Sequence, residues 1–287
     1  MDAGLIINDI LVWIESNLDG KMSIDIVSQK AGYSKWHLQR MFSSVTGQKL
    51  GNYFRERQLT RIAYILKLTN TSIVDIAISY GFNSQQSLTR AFKNYIGISP
   101  GCYRRTNSWF FKGLRPPLSI DKRTFPTSAV VYIPELTFLG ATYFHSFLPD
   151  DFLEQSIKIH TESWNRFLLH SHFNDNKAYG LIQHQPDSGN RNATRVLYSP
   201  TVLQHEDIRN GIKIKRLKIN KGKHLKFTFS GVFENLPLFI RDIYNIYLPS
   251  LNIVRRNGCD IEMFHIDKCR FEKEGNILCD YFIPVEL

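Results

Sequence analysis

The stretch "GYSKWHLQRMF", Gly32 to Phe42, decides how the first half of the chain is read. Leu38, Met41 and Phe42 fall at i, i+3 and i+4 and mark the inner side of a short helix. Trp36, Gln39 and Arg40 repeat that spacing on the other side. A soluble helix has little reason to expose a Trp beside two long hydrogen-bonding side chains, so this outer face calls for a partner. Further on, "GFNSQQSLTRAF", Gly81 to Phe92, repeats the pattern, with Leu38, Arg40 and Phe42 matching Leu88, Arg90 and Phe92. Gly32 and Tyr33 match Gly81 and Phe82 at an offset one residue shorter, so the second turn has gained a residue. Gly47, Gly51 and Tyr53 recur as Gly97, Gly101 and Tyr103. A match of this length marks an internal repeat.

Each copy carries the same local signals. Ser23 is placed to cap a helix over Ile24 to Lys30, and "SIVD", Ser72 to Asp75, has capping-box spacing before Ile76 to Tyr80. A Gly-aromatic pair makes the turn, and Ser34 or Asn83 is expected to cap the next helix. The unit is helix, tight turn, helix. Packing through Leu38, Met41 and Phe42, or Leu88, Ala91 and Phe92, leaves Trp36, Gln39 and Arg40 outward in one copy and Gln86, Thr89 and Arg90 in the other. Arg can bond guanine O6 and N7 together, Gln can do the same for adenine, and Trp or Thr can press on a thymine methyl. One such stripe fits a solvated helix face as well as a reading face. Two matching stripes favour major-groove readers.

Between the copies, "LGNYFRERQLTRIAYILKL" has helical periodicity from Leu50 to Leu68. At about 1.5 Å per residue it spans roughly 28 Å, close to the ~34 Å between successive major-groove faces on one side of a duplex. Arg55, Arg57 and Arg61 on this helix are candidates for phosphate contact.

Charge supports the same reading. Residues 1–125 hold 17 basic and 8 acidic side chains, against 19 and 18 in residues 126–287, so nearly all of the net +10 lies in the first half. A basic half joined to a neutral half points to nucleic acid as the partner of one domain, ahead of membrane. The four cysteines form no CxxC pair and no zinc-type spacing, as expected of free thiols in a reducing cytoplasm. The N-terminal amphipathic stretch contains acidic residues and lacks the basic start of a signal peptide, and no segment approaches about 18 apolar residues.

"AGYSKWHLQRMF", "DIAISYGFNSQQSLTRAFK" and "SPGCYRR" resemble the motifs of the AraC/XylS family of transcription activators over residues 1 to about 110. Within it the likeness is to the MarA, SoxS and Rob group of bacterial stress activators, and over the whole chain to its members with a second domain. The resemblance implies a cytoplasmic, nucleoid-associated monomer that binds an asymmetric promoter element in double-stranded DNA, contacts RNA polymerase and activates stress or multidrug-resistance genes. By motif position it assigns base reading to Trp36, Gln39, Arg40, Gln86 and Arg90. The motif leaves open whether both helices enter the groove at every site.

After Asn107, Pro116, Pro117 and Pro126 argue against one continuous helix, the boundary falls between about 107 and 127 with residues 111–126 as the linker, and Trp109, Phe110 and Phe111 at its start can dock on one domain. In the second half, "AVVYIPELTFLGATYFHSF", "AYGLIQHQ" and "TRVLYSPTVL" read as strands around a helix in "DDFLEQSIKIHTESWNRFLLH". The order recurs as "LKFTFSGVFE", a helix around "NLPLFIRDIYNIYLPSLN", then "CDIEMFHI" and "NILCDYFIPVEL". The expectation is a multidomain protein. An all-α domain over residues 1–110 has two helix-turn-helix units joined by a long helix, and an α+β domain of two similar β-α-β-β halves spans residues 127–287. The second domain resembles gyrase-inhibitor-like domains, which implies an amphipathic small-molecule effector.

Strand alternation puts Glu262 on one face with Phe264. An acid among aromatics can bind a cation, and an edge carboxylate in water is the plainer alternative. Glu262, Phe264, Trp164, Tyr198 and Phe229 are the candidate ligand-binding residues. The lysine-rich run from Lys213 to Lys226 pulls toward an anionic ligand instead. His170, His172 and Asp175 sit at a helix end beside polar residues and make a weak case for metal. No GxSxG, P-loop or GxGxxG element is present, no nucleophile and base can be paired, and no cofactor or enzymatic activity is expected. A protein-contact module without ligand remains the other reading of the second domain.

Overall fold

Serine hydroxyls start the N-terminal helices. The computed structural model describes residues 3–20, 22–119, 126–168, 177–203, 214–266 and 276–286. Its first part is helical: α1 (Ala3–Glu15), α2 (Ile24–Ala31), α3 (Lys35–Thr46), α4 (Leu50–Leu68), α5 (Ile73–Ser79), α6 (Gln85–Ile96) and α7 (Pro100–Arg105). Ser23, Ser34, Ser72 and Ser84 accept hydrogen bonds from the amides of Ile26, His37, Asp75 and Ser87. Such caps are each worth about 1 kcal/mol. Two local expectations change. Ser84, not Asn83, caps α6, because the extra residue of the second turn moves the helix start by one, and Ser84 and Ser87 close a reciprocal box. Asp75 directs its carboxylate to Arg191 at 3.3 Å. Gly32 and Gly81, with φ of 73° and 70°, supply the left-handed residue that each turn needs.

Packing within the helical part is duplicated. Leu38 and Phe42 of α3, and Leu88 and Phe92 of α6, are fully buried, each contributing about 1.5–3 kcal/mol. Phe42 lies 5.7 Å from Tyr53 of α4, and Phe92 lies 5.5 Å from Tyr103 of α7, ring centre to ring centre. The first helix pair has its own core with α1 and the start of α4, whereas the core of the second pair runs on into the β-rich part.

The connecting segment is not a loose tether. Trp109 and Phe110 form β1 (Trp109–Phe110), which pairs with β9 (Val254–Arg255). Phe111 is fully buried and donates its amide to the Ile253 carbonyl at 3.1 Å. Trp109 packs against Tyr64 of α4 and against Tyr244. The Arg115 amide donates to Thr60 Oγ1, and the Leu118 amide to the Tyr53 hydroxyl. The expected docking of these aromatics therefore engages both parts of the chain.

The second part is a large antiparallel sheet. Its strands are β2 (Ser128–Ile133), β3 (Leu136–Gly140), β4 (Tyr143–Phe147), β5 (Lys177–Pro186), β6 (Thr194–Leu203), β7 (Lys215–Ile219), β8 (Gly222–Val232), β10 (Asp260–His265) and β11 (Asn276–Glu286). They run in the order β2, β8, β11, β10, β5, β6, with β3 and β4 both on β6 and β7 outside β3. Helix α8 (Phe152–Leu168) lies against β4 and β6, and α9 (Leu236–Asp242), extended by a π turn (Ile243–Tyr247) and α10 (Leu248–Leu251), lies against β8. β4 and β5 both pair with β6, and β8 and β10 both pair with β11. β5 and β10 pair with each other at the middle. The lysine-rich run from Lys213 to Lys226 contains β7 and the start of β8. Its exposed Lys215 and Lys218 belong to a strand on the sheet rim, where lysines deter pairing with other chains.

Candidate DNA-reading surface and ligand cavity

On α3 the outer stripe is free of the core. Trp36 is 67 % exposed, Gln39 and Arg40 are exposed, and the Arg40 guanidinium lies 5.3 Å from the Trp36 ring. On α6, Gln86 and Arg90 are exposed and Thr89 is half-buried. Both stripes stand on helices locked from behind by a fully buried Leu and Phe, which holds the donors where a duplex can meet them.

The three arginines of α4 part company. Arg55 is exposed, stacked 4.8 Å from the Phe82 ring in the second turn. Arg57 is 6 % exposed and cannot reach a phosphate. It donates through Nε and Nη2 to both carboxylate oxygens of Glu15 at 2.8 and 2.7 Å, and through Nη1 to the Arg115 carbonyl. It thus ties α1, α4 and the connecting segment together. Arg61 is half-exposed and pairs with Asp150, at the mouth of a cavity.

That cavity, about 250 Å³, opens between α4 and the β-rich part. Tyr64, Ile65 and Leu68 of α4 form one wall, and Phe147, Phe152 and Tyr244 face it. The Tyr64 hydroxyl donates to the Tyr244 carbonyl at 2.6 Å. Arg241 and Arg255 add two more guanidinium groups. Packing pushes His184, on the cavity wall, down to about 4, so its imidazole is neutral at pH 7. A smaller recess lies deeper, between α8 and the sheet, and shares Phe147, Phe152, His184 and Ile240 with the cavity.

Tyr198 and His160 line the recess, and Glu262 lies behind them. Glu262 is fully buried on a central strand, so the reading as an edge carboxylate in water is wrong. Its Oε1 is 2.8 Å from His160 Nε2, and its Oε2 accepts from the Tyr198 hydroxyl at 2.7 Å. Trp164 Nε1 donates to that hydroxyl at 2.8 Å, and His160 Nδ1 lies 2.7 Å from the Ser156 carbonyl. Burial disfavours the imidazolium, but the Glu262 carboxylate and the two hydrogen bonds outweigh it and raise the His160 pKa. Opposite Glu262 on β5 stands Gly180, where a Cβ would come within 2.5 Å of both Glu262 Oε2 and the Tyr198 hydroxyl. Phe264 shares the face of Glu262 and meets Trp164 edge-on at 5.8 Å, whereas Phe229 packs on Phe239 at 5.2 Å.

Comparison with known proteins agrees with this division. A helix-turn-helix domain family matches residues 27–106, and a GyrI-like small molecule binding domain family matches residues 127–286. The chain is 36 % identical to transcriptional regulator Rob of Salmonella typhimurium and 34 % identical to right origin-binding protein of Escherichia coli K12, each over 99 % of both chains. Multiple antibiotic resistance protein MarA of Escherichia coli K12 is 54 % identical over 35 % of this chain and 80 % of its own length.

The chain belongs to the Rob-like AraC-type transcriptional regulators. It is a DNA-binding regulator and not an enzyme.

Within this Rob-like frame, sequence reasoning missed His160, Gly180 and Tyr64. The spacing of His160 and Trp164, i to i+4 on one helix, was a legible sign that both face the same strand. Nothing local to "RIAYILKL" marks Tyr64 as a cavity residue, because the facing wall comes from the other end of the chain. His170, His172, Asp175 and Cys269 lie outside the described residues, while Cys102, Cys259 and Cys279 are free thiols. Among the described residues no helix is long and apolar enough to cross a membrane.

Proposed function

We propose that this Rob-like regulator is a sequence-specific transcription activator of stress and multidrug-resistance genes in the cytoplasm, working as a monomer on an asymmetric site. The carrying observation is the pair of outer stripes, Trp36, Gln39 and Arg40 on α3 and Gln86, Thr89 and Arg90 on α6, each backed by a buried Leu and Phe. The two helix pairs act as the two helix-turn-helix units, α4 sets their separation, and Arg55 contacts phosphate. Residues 1–110 form the DNA-binding domain, 111–126 the linker and 127–287 the regulatory domain. RNA polymerase is the partner at the promoter. The likeness to MarA supports the resistance programme. The test is Arg40→Ala, which removes a bidentate base contact and should weaken specific binding by about 1–3 kcal/mol while leaving random duplex almost unaffected. Equal loss on both duplexes rejects the base-reading role.

The regulatory domain, in this reading, is two similar β-α-β-β halves that meet at β5 and β10 and bind an amphipathic small molecule. Support comes from the match to the GyrI-like small molecule binding domain and from the cavity of about 250 Å³ that the recess in front of Glu262 adjoins. His160 already occupies one carboxylate oxygen and Tyr198 the other, so a cationic ligand must displace or reorient one of them to reach Glu262.

A further inference from the structure

The recess between α8 and the sheet adjoins the larger cavity. Its residues Phe147, Phe152, His184 and Ile240 continue into the larger cavity, whose far wall is α4 of the DNA-binding part. Of the five side chains expected to bind ligand, Tyr198 alone lines either space. Glu262 is behind it with both oxygens engaged, so the charge meeting a ligand is set elsewhere. At the larger cavity the charged lining is Arg61, Arg241, Arg255 and Asp150. Each arginine has a carboxylate partner, namely Asp150, Asp242 and Asp260. A guanidinium carries five donors; Arg255 already spends four of them on Tyr244, Asp260 and the Arg256 and Gly258 carbonyls, so the donors left to a ligand around the apolar body are those of Arg61 and Arg241.

We infer that the effector site of this protein lies between the domains, with α4 as one of its walls, and takes an amphipathic molecule whose apolar body packs on Tyr64, Ile65 and Leu68 and whose polar end accepts hydrogen bonds from Arg61 and its neighbours. This rests on the small-molecule reading of the regulatory domain and goes beyond it by giving the DNA-binding domain a share of the ligand. The consequence is direct coupling. α4 joins the two helix pairs, so a ligand that touches it acts on their spacing with no relay through the linker. The cavity has a second route to the same end. Gln183, His184 and Thr194 on its wall belong to β5 and β6, and the turn joining these strands grips the start of α5. The Asn70 amide donates to the Arg191 carbonyl at 2.9 Å, Thr71 Oγ1 donates to Asn192 Oδ1 at 3.0 Å, and Arg191 pairs with Asp75. All three contacts reach the second helix pair.

The test uses the full-length protein and two fluorescent amphiphiles, anionic anilinonaphthalene sulfonate and cationic thioflavin T. Wild type should bind the sulfonate at one per chain and more tightly than thioflavin T. Arg61→Gln, at a side chain 40 % exposed, should raise the sulfonate dissociation constant about three- to tenfold, in line with loss of one charge-assisted hydrogen bond. Leu68→Trp, which fills the cavity from the α4 side, should abolish binding. If wild type and both variants bind the sulfonate alike, the ligand sits inside the regulatory domain alone and the shared site is wrong, although the small-molecule reading stands. A preference for thioflavin T overturns the donor-lined character of the site. If neither dye binds wild type, the small-molecule reading fails and the shared site fails with it.

Discussion

Replacing Gly180 by alanine probes the buried network without touching any charged group. Gly180 faces Glu262 across the β5 and β10 pair, and its added methyl would lie 2.5 Å from Glu262 Oε2 and 2.5 Å from the Tyr198 hydroxyl. Neither atom can withdraw freely. Tyr198 and Glu262 are fully buried, and the hydroxyl is also held by Trp164 Nε1 at 2.8 Å. Something must move, and the 2.7 Å bond between Tyr198 and Glu262 is the contact nearest the clash. Losing a hydrogen bond at a buried carboxylate costs about 1–3 kcal/mol, and forcing a methyl into a filled core adds roughly 1–3 kcal/mol. The expected destabilisation is therefore about 2–6 kcal/mol, read from urea unfolding by circular dichroism. Glu262→Ala should relieve the clash, so the double variant should be at least about 1 kcal/mol more stable than the sum of the single losses allows. A Gly180→Ala protein within about 0.5 kcal/mol of wild type, or strict additivity in the double variant, refutes the geometry of this network.

The other expectations are more local. Arg55→Ala should lower the salt slope of DNA binding by about one, while Arg57→Ala should leave that slope unchanged and destabilise the fold by about 1–3 kcal/mol, since Glu15 loses its guanidinium but keeps the Tyr53 hydroxyl and some solvent; the reverse pattern would exchange their roles. Trp36→Ala should change stability by no more than about 0.5 kcal/mol, since the side chain is 67 % exposed, yet weaken specific DNA binding in a filter or fluorescence titration; a stability loss without a binding loss would make Trp36 structural. The raised His160 pKa has a definite sign. Its stabilising contribution is complete below about pH 6.5, the ordinary histidine value, and is lost as pH rises through the folded-state value. The advantage of wild type over the double variant His160→Leu, Glu262→Gln should therefore shrink as pH rises above the ordinary histidine value and through the folded-state one, and an advantage that grows with pH contradicts the charged pair.

Much of the helical part was legible because its signals are local and repeated. Leu50–Leu68 came out with the bounds read from periodicity, and Ser23, Ser34 and Ser72 cap where they were expected. The cap at Ser84 was misread by one position, since an inserted residue changes which side chain reaches the N3 amide without changing composition. Arg57 was misread because a helix of mixed polarity gives no sign of which face will be covered by α1 and the connecting segment. In the second half the strands were visible as β-branched alternation, and Glu262 with Phe264 was correctly put on one face. The partners of Glu262 come from α8 and β6, distant in sequence. Gly180 was unreadable for the same reason, because its lack of a side chain matters only when β5 meets β10.

One chain with two unlike stripes should read two unlike half-sites. Selection of bound duplexes from a randomised pool, followed by sedimentation of the protein on the selected site, distinguishes this from symmetric binding. One protein should sit on an asymmetric element of about 20 base pairs, with two dissimilar sequence blocks about one helical turn apart. Two chains on a palindrome would contradict it, because a symmetric site requires the same stripe to be presented twice.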